Sequence, residues 1–458
     1  MAGTILYSFR ISEDAVAALQ KLSACIDEAN PIPGRKRSIL RYSIRDLWRS
    51  LTMDRAQRSV DYLNNPTFFS AYLRYFMPWN LVRLVALLTE LPLTLNPGAT
   101  IIDMGSGPLT FLIALYCAKP ELRKMPLTFV CVDRAPRIME AGKLILELLA
   151  AKHGGELPPW NIELRHARFG EPLHEKADLF SAVNVFNEFF WRHEGMLSNA
   201  AADLYHRIVQ YCSSQGTMLI VEPGEPRSGG FISALRAAAI LDGDKILAPC
   251  PHHRACPMPG IFKSGQEHIT GHVKGHIGRD AGRHVGEQDG IIEEVRMPAP
   301  RTKYPWCHFS VPAEFAPRWL RALSEEAGLS KEKLSFSFLF LQKQEAQHTP
   351  GGRRPSSQNH EEPPKHTAST AETGPAEIDC RIVSDAIALP GDRSGKYACS
   401  PFGYTLISTN KGKTLPESGA LLRLSLPSSR KSPRKGSQQE LQPSNAFDQK
   451  TGAILISY

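Results

Sequence analysis

Residues 99–110 read ATIIDMGSGPLT, and this stretch decides the fold. Its first four residues are small or β-branched and suit a buried strand, which Asp103 closes. Gly105 and Gly107 leave a turn without side chains, so the backbone can bend tightly and approach a ligand closely. A helix beginning near Leu109 would point its amide N–H groups into the same crevice. The stretch therefore predicts a strand, a glycine turn and a helix that together cradle a ligand.

A second apolar strand, LTFVCV at residues 127–132, is followed by an acid. This acid is Asp133, thirty positions after Asp103. In a βαβ unit, an acid at the end of the second strand can accept hydrogen bonds from both hydroxyls of a ribose. The alternative is an ordinary, solvated aspartate at the end of a strand.

Two classes of cofactor use this geometry. Dinucleotide-binding turns require a third glycine, and Thr110 stands at that position. The pattern hhDhGxG with a distant ribose acid instead resembles the S-adenosyl-L-methionine site of class I methyltransferases, over about residues 96–343. The resemblance implies a Rossmann-like α/β core in which Asp103, Gly105 and Gly107 shape the methionine side of the pocket and Asp133 holds the ribose.

Polar residues follow two further apolar segments. Residues 177–185 (ADLFSAVNV) lead to Asn187 and Glu188, and residues 216–221 (GTMLIV) lead to Glu222. Because ligands bind at the carboxyl ends of parallel strands, we expect these side chains to face the crevice. On the methyltransferase interpretation, Asn187 and Glu188 are the catalytic candidates beside the transferred methyl. Alternatively, Asn187 caps the next helix.

Composition limits the class of protein. The chain has 458 residues, 42% hydrophobic and 22% charged, which predicts a globular protein of two or three units. A formal charge of +8 suits a polyanionic partner such as RNA, or serves solubility alone. We expect a cytoplasmic protein without a signal peptide or membrane span, and a monomer. In that compartment, the nine cysteines are thiols, core residues or metal ligands rather than disulfides.

The chain divides by pattern into four parts. The pattern predicts helices over 13–29, 44–63 and 66–91 within residues 1–96. It predicts the methyltransferase core over residues 97–343, with a last strand at residues 333–341 (KLSFSFLFL). Residues 247–306 are an insertion into this core. Residues 344–377 predict a disordered linker, and residues 378–458 a small β-rich unit. A basic run in the first part suits phosphate contacts or is a solvated helix face; it comprises Arg35, Lys36, Arg37, Arg41, Arg45 and Arg49.

The insertion holds a second group of chemically active residues. Cys250 and Cys256 are each followed by proline, and Cys307 lies in the sequence WCHF. A proline after cysteine has no N–H and stiffens the loop, which helps to hold the sulfur toward a metal. From chemistry alone we predict zinc bound by three cysteines and one histidine, either His252 or His308.

These motifs, behind a class I core with a helical N-terminal region, resemble the ribosomal small-subunit methyltransferase-like family, which has mitochondrial members. We expect a bacterial-like member. That family carries a four-cysteine iron–sulfur site whose last ligand lies in a β-rich C-terminal segment. The resemblance implies a [4Fe-4S] cluster on Cys250, Cys256, Cys307 and Cys399, with zinc as the alternative.

The resemblance also implies a function. The expected protein binds S-adenosyl-L-methionine and acts on the small ribosomal subunit or its rRNA. The alternative is a non-catalytic, RNA-binding assembly factor that keeps the methyltransferase fold, with the cluster as a structural element. The Gly- and His-rich stretch at residues 265–290 departs from the family pattern and is predicted to be a surface loop.

Overall fold

The computed structural model describes residues 4–5, 9–53, 62–187, 197–258, 306–344, 377–409, 414–425 and 454–457. Within these ranges the chain forms a helical N-terminal region, an eight-stranded sheet covered by helices on both faces, and a seven-stranded second sheet. The predicted α/β class is confirmed, together with its helical N-terminal region and its β-rich C-terminal unit. No helix in the described ranges is both long and apolar enough to cross a membrane.

The N-terminal region starts with the short strand β1 and continues with helices. Helix α1 is capped at Ser12, whose hydroxyl accepts a hydrogen bond from the backbone N–H of Ala15 at 3.2 Å. The helix predicted over 44–63 is instead observed over Leu40–Thr52, and Leu40 packs into the same core as α1. The bounds are Thr4–Ile5 for β1, Glu13–Ala29 for α1, Gly34–Arg37 for α2, Leu40–Thr52 for α3, Pro66–Ala71 for α4 and Met77–Glu90 for α5.

The central sheet has the strand order β4-β3-β2-β5-β6-β9-β7, with β8 paired to β9. The first five strands of this order are parallel, and β9 runs antiparallel to both of its neighbours. The bounds are Thr100–Met104 (β2), Leu127–Asp133 (β3), Trp160–His166 (β4), Ala177–Val183 (β5), Cys212–Pro223 (β6), Lys245–Ala248 (β7), Phe309–Pro312 (β8) and Lys333–Gln342 (β9).

Successive side chains of each strand point to opposite faces of this sheet, so the core has two parts, one on each face. Ile101 and Phe129 pack with the N-terminal helices, α6 (Thr110–Ala118) and α7 (Pro136–His153). Ile102 and Val130 pack on the other face with α8 (Leu197–Val209) and α9 (Pro226–Leu241). Helix α6 is buried on every side, which explains why its sequence lacks a polar face.

The second sheet is built mainly from the end of the chain. Its order is β1-β14-β10-β12-β13-β15, with β11 paired to β12, and a separate small core fills one face. β1 from the start of the chain pairs with β14, so the two ends of the protein meet. The bounds are Glu377–Ile382 (β10), Ile387–Leu389 (β11), Arg393–Ser400 (β12), Gly403–Thr409 (β13), Leu421–Ser425 (β14) and Ile454–Ser457 (β15).

Several expectations fall outside the described residues. They are the body of the predicted linker, most of the insertion and the His-rich stretch within it. The bounds of the four predicted parts therefore stay predictions. α10 (Arg318–Glu326) lies between β8 and β9 and packs Leu320 into the core beneath the N-terminal helices.

Candidate cofactor crevice and candidate metal centre

The turn after β2 folds back over the end of β3. The backbone N–H groups of Gly105 and Ser106 both donate to the carbonyl oxygen of Val132, at 2.8 and 3.1 Å. Gly105 and Gly107 have φ of +69° and +49°, the left-handed region that favours glycine. A Cβ built on Gly107 meets no atom within 4 Å, so this glycine faces open space at the carboxyl ends of the strands. Asp103 lies within β2 and not at its end, since the strand continues to Met104.

Asp133 holds this turn in place from the end of β3. Its Oδ2 accepts a hydrogen bond from the N–H of Gly107 at 2.9 Å, and its Oδ1 accepts one from the N–H of Ala135 at 2.9 Å. Each carboxylate oxygen carries a second lone pair that can accept from a ribose hydroxyl. The residue predicted to hold the ribose therefore also joins the glycine turn to the start of α7.

The side chain of Asp103 is buried inside the sheet, two residues before the glycine turn. It is 2% exposed, and its Oδ1 accepts a hydrogen bond from the Ser181 hydroxyl at 2.6 Å. Its Oδ2 is buried and has no hydrogen-bond partner. Burial raises the pKa of this carboxyl to about 7, and the negative charge of Asp133 adds to the effect. At neutral pH, Asp103 is therefore a partly protonated group beneath the crevice.

A close contact between α7 and the glycine turn escaped the sequence prediction. A Cβ on Gly142 would lie 2.2 Å from the carbonyl carbon of Pro108. Only glycine allows α7 to approach the turn this closely. The available signal is a glycine inside an otherwise regular helical pattern.

The end of β5 meets a carboxylate from β6. Glu222 is fully buried, and its Oε1 and Oε2 accept hydrogen bonds from the N–H groups of Phe186 and Asn187 at 2.8 and 3.1 Å. Glu222 therefore holds the first turn after β5 and does not face the crevice as an open side chain. Asn187 is half-buried within that turn, whereas Glu188 lies outside the described residues. The catalytic roles of both residues stay predictions.

Asn184, which the sequence did not single out, forms the bend between β5 and this turn. Its φ of +57° lies in the left-handed region, which asparagine tolerates better than most residues. Its N–H donates to the carbonyl oxygen of Val221 at 2.8 Å, and its Oδ1 is buried without a partner. The next residue, Val185, closes on the glycine turn, since its Cγ2 lies 2.5 Å from a Cβ built on Gly105.

The four cysteines predicted as metal ligands belong to three segments of the chain and interact electrostatically. Cys250 and Cys256 lie in the loop after β7, Cys307 precedes β8, and Cys399 is in β12. Burial raises the pKa of the Cys399 thiol well above its ordinary value, and charges on the other three cysteines raise it further. The pKa of Cys307 is raised by burial and then by Cys250 and Cys256. The four sulfurs thus share one electrostatic environment.

His252 lies against this group. Its Nε2 is 3.1 Å from Sγ of Cys399, and its Nδ1 is buried without a hydrogen-bond partner. Burial lowers the pKa of the imidazole to about 4, so the ring is neutral at physiological pH. A neutral imidazole beside a thiol is also a metal-ligand combination, as the zinc alternative requires.

Two buried arginines act electrostatically on the thiol of Cys250. Arg236, from α9, donates from Nη2 to the carbonyl oxygen of His252 at 2.6 Å. Arg381, from β10, donates from Nε to the carbonyl oxygen of Pro249 at 2.8 Å. Both guanidinium groups act to lower the pKa of Cys250, against the effect of burial. They supply positive charge near the Cys250 thiol.

The segment carrying Cys307 is fastened to the core. The carbonyl oxygen of Cys307 accepts a hydrogen bond from the Ser337 hydroxyl at 2.7 Å. Nε1 of Trp306 donates to the carbonyl oxygen of Gly224 at 3.1 Å. A Cβ on Gly229 of α9 would lie 2.8 Å from Cδ1 of Trp306, so a glycine in the helix makes room for the indole. This segment is thereby positioned beside α9, from which Arg236 also comes.

Among the described residues, no group of three or more His, Cys, Asp or Glu side chains has an arrangement that could hold a metal ion. All nine cysteines are free thiols. The donor types are nevertheless those of a metal site, because four cysteines interact electrostatically with one another and with two guanidinium groups. Sulfur ligands suit iron–sulfur clusters and zinc.

The predicted basic run lies partly on α3. The guanidinium carbons of Arg41 and Arg45 are 4.8 and 5.9 Å from the ring centre of Tyr42, which is 47% exposed. Arg45 also donates from Nε to the carbonyl oxygen of Ala327 at 3.3 Å. This face of α3 therefore presents positive charge together with an exposed aromatic ring.

Similarity to solved structures covers about a third of the chain in the three cases below. The Haloferax volcanii complex of the Trm112 methyltransferase activator with a methyltransferase is 13% identical, covers 33% of this chain and 56% of its own, and has a TM-score of 0.23. A Methanococcus maripaludis protein described as an S-adenosyl-L-methionine-dependent methyltransferase is 18% identical, with coverages of 36% and 64% and a TM-score of 0.23. The chain thus spans less than two thirds of the length of each. An Aquifex aeolicus SAM-dependent methyltransferase is 12% identical, with coverages of 33% and 69% and a TM-score of 0.23.

No curated protein matches the chain. Residues 69–261, which run from α4 through the glycine turn to the first two of the clustered cysteines, match the family model of the mitochondrial small ribosomal subunit protein Rsm22. The predicted resemblance to the ribosomal small-subunit family is therefore confirmed over these residues, where the chain is similar to Rsm22.

Proposed function

We propose that this protein binds S-adenosyl-L-methionine in the crevice between β2 and β5 and acts on the small ribosomal subunit or its rRNA. The observation that carries the proposal is the double role of Asp133, whose two carboxylate oxygens hold the glycine turn and the start of α7. The Rsm22 match over residues 69–261 supports the ribosomal target.

The crevice residues would act mainly by positioning. When bound, S-adenosyl-L-methionine supplies a methyl group on a sulfonium, and transfer to a nucleophile needs alignment more than acid–base chemistry. Gly107 leaves space for the methionine portion, Asp133 orients the ribose, and Glu222 fixes the backbone of Asn187 at the edge of the crevice. Asn187 and Glu188 are the proposed residues beside the methyl acceptor.

We also propose that Cys250, Cys256, Cys307 and Cys399 hold a [4Fe-4S] cluster. The support is their shared environment and the two buried guanidinium groups, which offset the negative charge of thiolate ligands. All-thiolate ligation suits an iron–sulfur cluster better than the mixed cysteine–histidine site first inferred from chemistry. Zinc is the alternative metal. In either case the centre is structural, because it ties the C-terminal sheet to the core.

A non-catalytic RNA-binding assembly factor is the second candidate. The observation that favours it is the basic face of α3, where Tyr42 lies between Arg41 and Arg45. This surface would bind RNA whether or not the crevice transfers a methyl group.

Calorimetric titration with S-adenosyl-L-methionine tests the first proposal. The wild type is expected to bind, and Asp133→Asn to bind about 10- to 100-fold more weakly, because hydrogen bonds to a charged acceptor contribute about 1.5–3 kcal/mol. Asp242→Asn, at an exposed residue that pairs only with His206 in the described part of the chain, is the matched control. A wild type that does not bind the cofactor contradicts the proposal.

Methyl incorporation separates the two candidates. The enzyme transfers labelled methyl groups from the cofactor to small-subunit RNA, and Asp133→Asn reduces this transfer together with cofactor affinity. RNA binding that persists in both proteins, without transfer by either, identifies the assembly factor.

A further inference from the structure

A cleft of about 270 Å³ lies away from both sites described above. It is bounded by Trp79 of α5, by Ala313 after β8, by Ser324 of α10, and by Ser330 and Lys331 in the loop before β9. No residue of the proposed crevice or thiol centre lines it.

The ammonium group of Lys331 is held against aromatic rings. Its Nζ lies 5.9 Å from the ring centre of Tyr75 and 6.0 Å from that of Trp79. Such contacts favour a cation only weakly compared with a carboxylate partner. Within the described ranges, Lys331 forms no ion pair. Burial and the charge of Arg83 lower the pKa of Lys331 to about 8.

A second cation, Arg83, acts electrostatically on Lys331. Arg83 is one helical turn after Trp79 on α5 and donates from Nη1 to Oδ1 of Asn80 at 2.9 Å. Its Nε is buried without a hydrogen-bond partner, and no ion pair involves it in the part of the chain that the structure describes. Two partly buried cations repel each other, and a bound anion reduces this repulsion.

We propose that this cleft binds a phosphate group, from an RNA backbone or from a free nucleotide. Lys331 and Arg321 line the cleft and supply two positive charges, and Arg83 adds a third charge that acts on Lys331. The hydroxyl of Ser330 supplies a neutral donor, and Trp79 excludes water on one side. A charged hydrogen bond is stronger where water is excluded. The cleft is also larger than a single phosphate requires, so part of a sugar or base fits with it.

The cleft lies on the same edge of the sheet as the cofactor crevice. β9 begins at Lys333, two residues after Lys331, and runs antiparallel to β6, with Phe336 opposite Pro223 at the carboxyl end of β6. In the sheet order, β9 is two strands from β5, or about 10 Å. An RNA strand that presents a nucleotide to the crevice can therefore place a neighbouring phosphate in the cleft. This RNA source of the phosphate rests on the proposed function.

Exposed carboxylates at the rim make phosphate binding depend on the salt concentration. Glu314, Glu325 and Glu332 line the opening and are solvated. Their charges are screened by salt, whereas the partly buried cations are screened less. We therefore expect Glu332→Gln to strengthen phosphate binding at low salt and to have little effect at high salt.

The test uses three probes: inorganic phosphate, AMP and a short single-stranded RNA, each titrated into the full-length wild type and Lys331→Met. The substitution is expected to weaken RNA binding about 10-fold and to reduce the slope of log affinity against log salt by about 1. Lys333→Met, an exposed lysine paired with Asp385, is the matched control. Cofactor binding, measured in parallel, should not change in either variant.

The pattern across probes identifies the source. Weakened binding of RNA alone assigns the cleft to a backbone phosphate, and weakened binding of AMP and inorganic phosphate assigns it to a free nucleotide. Equal binding of all three probes by wild type and Lys331→Met overturns the proposal, as does a wild type that binds none of them. A wild type that binds phosphate but not S-adenosyl-L-methionine contradicts the proposed function and leaves the cleft supported. Arg83→Gln is a second variant with the same expected direction.

Discussion

Nε2 of His252 lies 3.1 Å from Sγ of Cys399, although 147 positions separate the two residues. His252 belongs to the loop after β7 of the central sheet, and Cys399 to β12 of the second sheet. The contact shows that the C-terminal unit is docked on the core at the thiol group. Loss of this group should therefore loosen the whole unit.

Cys399→Ser is expected to make the C-terminal unit sensitive to proteolysis, because it removes one of the four thiols that a metal would join. Limited trypsin digestion followed by mass spectrometry measures the cleavage. Cys380→Ser is the matched control, since Cys380 is equally buried in the same sheet but packs in that sheet's own core. Equal resistance of the two variants would refute docking through the thiol centre.

Arg381→Met should destabilise the same junction without touching a sulfur. The guanidinium donates to the carbonyl oxygens of Pro249 and Gly419, both at 2.8 Å. Leaving two buried acceptors without donors costs about 2–5 kcal/mol. Thermal denaturation should show a lower Tm, whereas Arg423→Met, which breaks an exposed ion pair with Asp379, should change the Tm little. A Tm equal to that of the wild type would contradict this role of Arg381.

The buried carboxyl of Asp103 predicts a pH dependence of stability. Its pKa is raised by burial to about 7, whereas in the unfolded chain it returns to its ordinary value. Between about pH 4 and 7 the unfolded state binds fewer protons than the folded state, so this group's contribution to stability falls as pH rises and is fully lost above about 7. Asp103→Asn removes that dependence.

Urea denaturation at pH 5 and pH 8 measures the effect. From pH 5 to pH 8, the free energy of unfolding of the wild type should fall relative to that of Asp103→Asn. The difference between the two changes should be on the order of 1–3 kcal/mol. Parallel changes in both proteins would mean that another group governs the pH dependence.

Gly142→Ala should damage the cofactor crevice through packing alone. The new Cβ would lie 2.2 Å from the backbone of Pro108, so α7 and the glycine turn must separate. Such overpacking costs about 1–3 kcal/mol, and S-adenosyl-L-methionine binding should weaken with it. In Gly34→Ala the added Cβ meets no atom within 4 Å, and this variant should retain both stability and binding. Normal binding by Gly142→Ala would show that the turn tolerates the shift.

The parallel core was predictable because its strands are continuous apolar runs that end in polar residues. β2 and β3 lie within a few residues of their predicted positions. β4 was not predicted, since as an edge strand it mixes exposed polar residues with half-buried ones and has no continuous apolar run. The pairing of β1 with β14 joins opposite ends of the chain, and local pattern carries no information about such a contact.

At the candidate sites, residue type was easier to predict than orientation. The turn and Asp133 were identified from spacing, but Glu222 was expected to face the crevice and instead binds two backbone N–H groups. Arg236 and Arg381 gave no sequence signal, because each lies in an ordinary helix or strand and only the fold brings it to the thiols. Cys399 was predicted through family resemblance alone.

Metal analysis of the full-length protein, purified without oxygen, tests the central claim most directly. The account predicts about four iron atoms and four sulfides per chain, a broad visible absorption band, and loss of both in Cys307→Ser but not in Cys380→Ser. About one zinc per chain without visible absorption would replace the cluster with the alternative metal. A wild type with neither iron nor zinc, or equal metal content in the two variants, would contradict the claim that these four thiols form one metal centre.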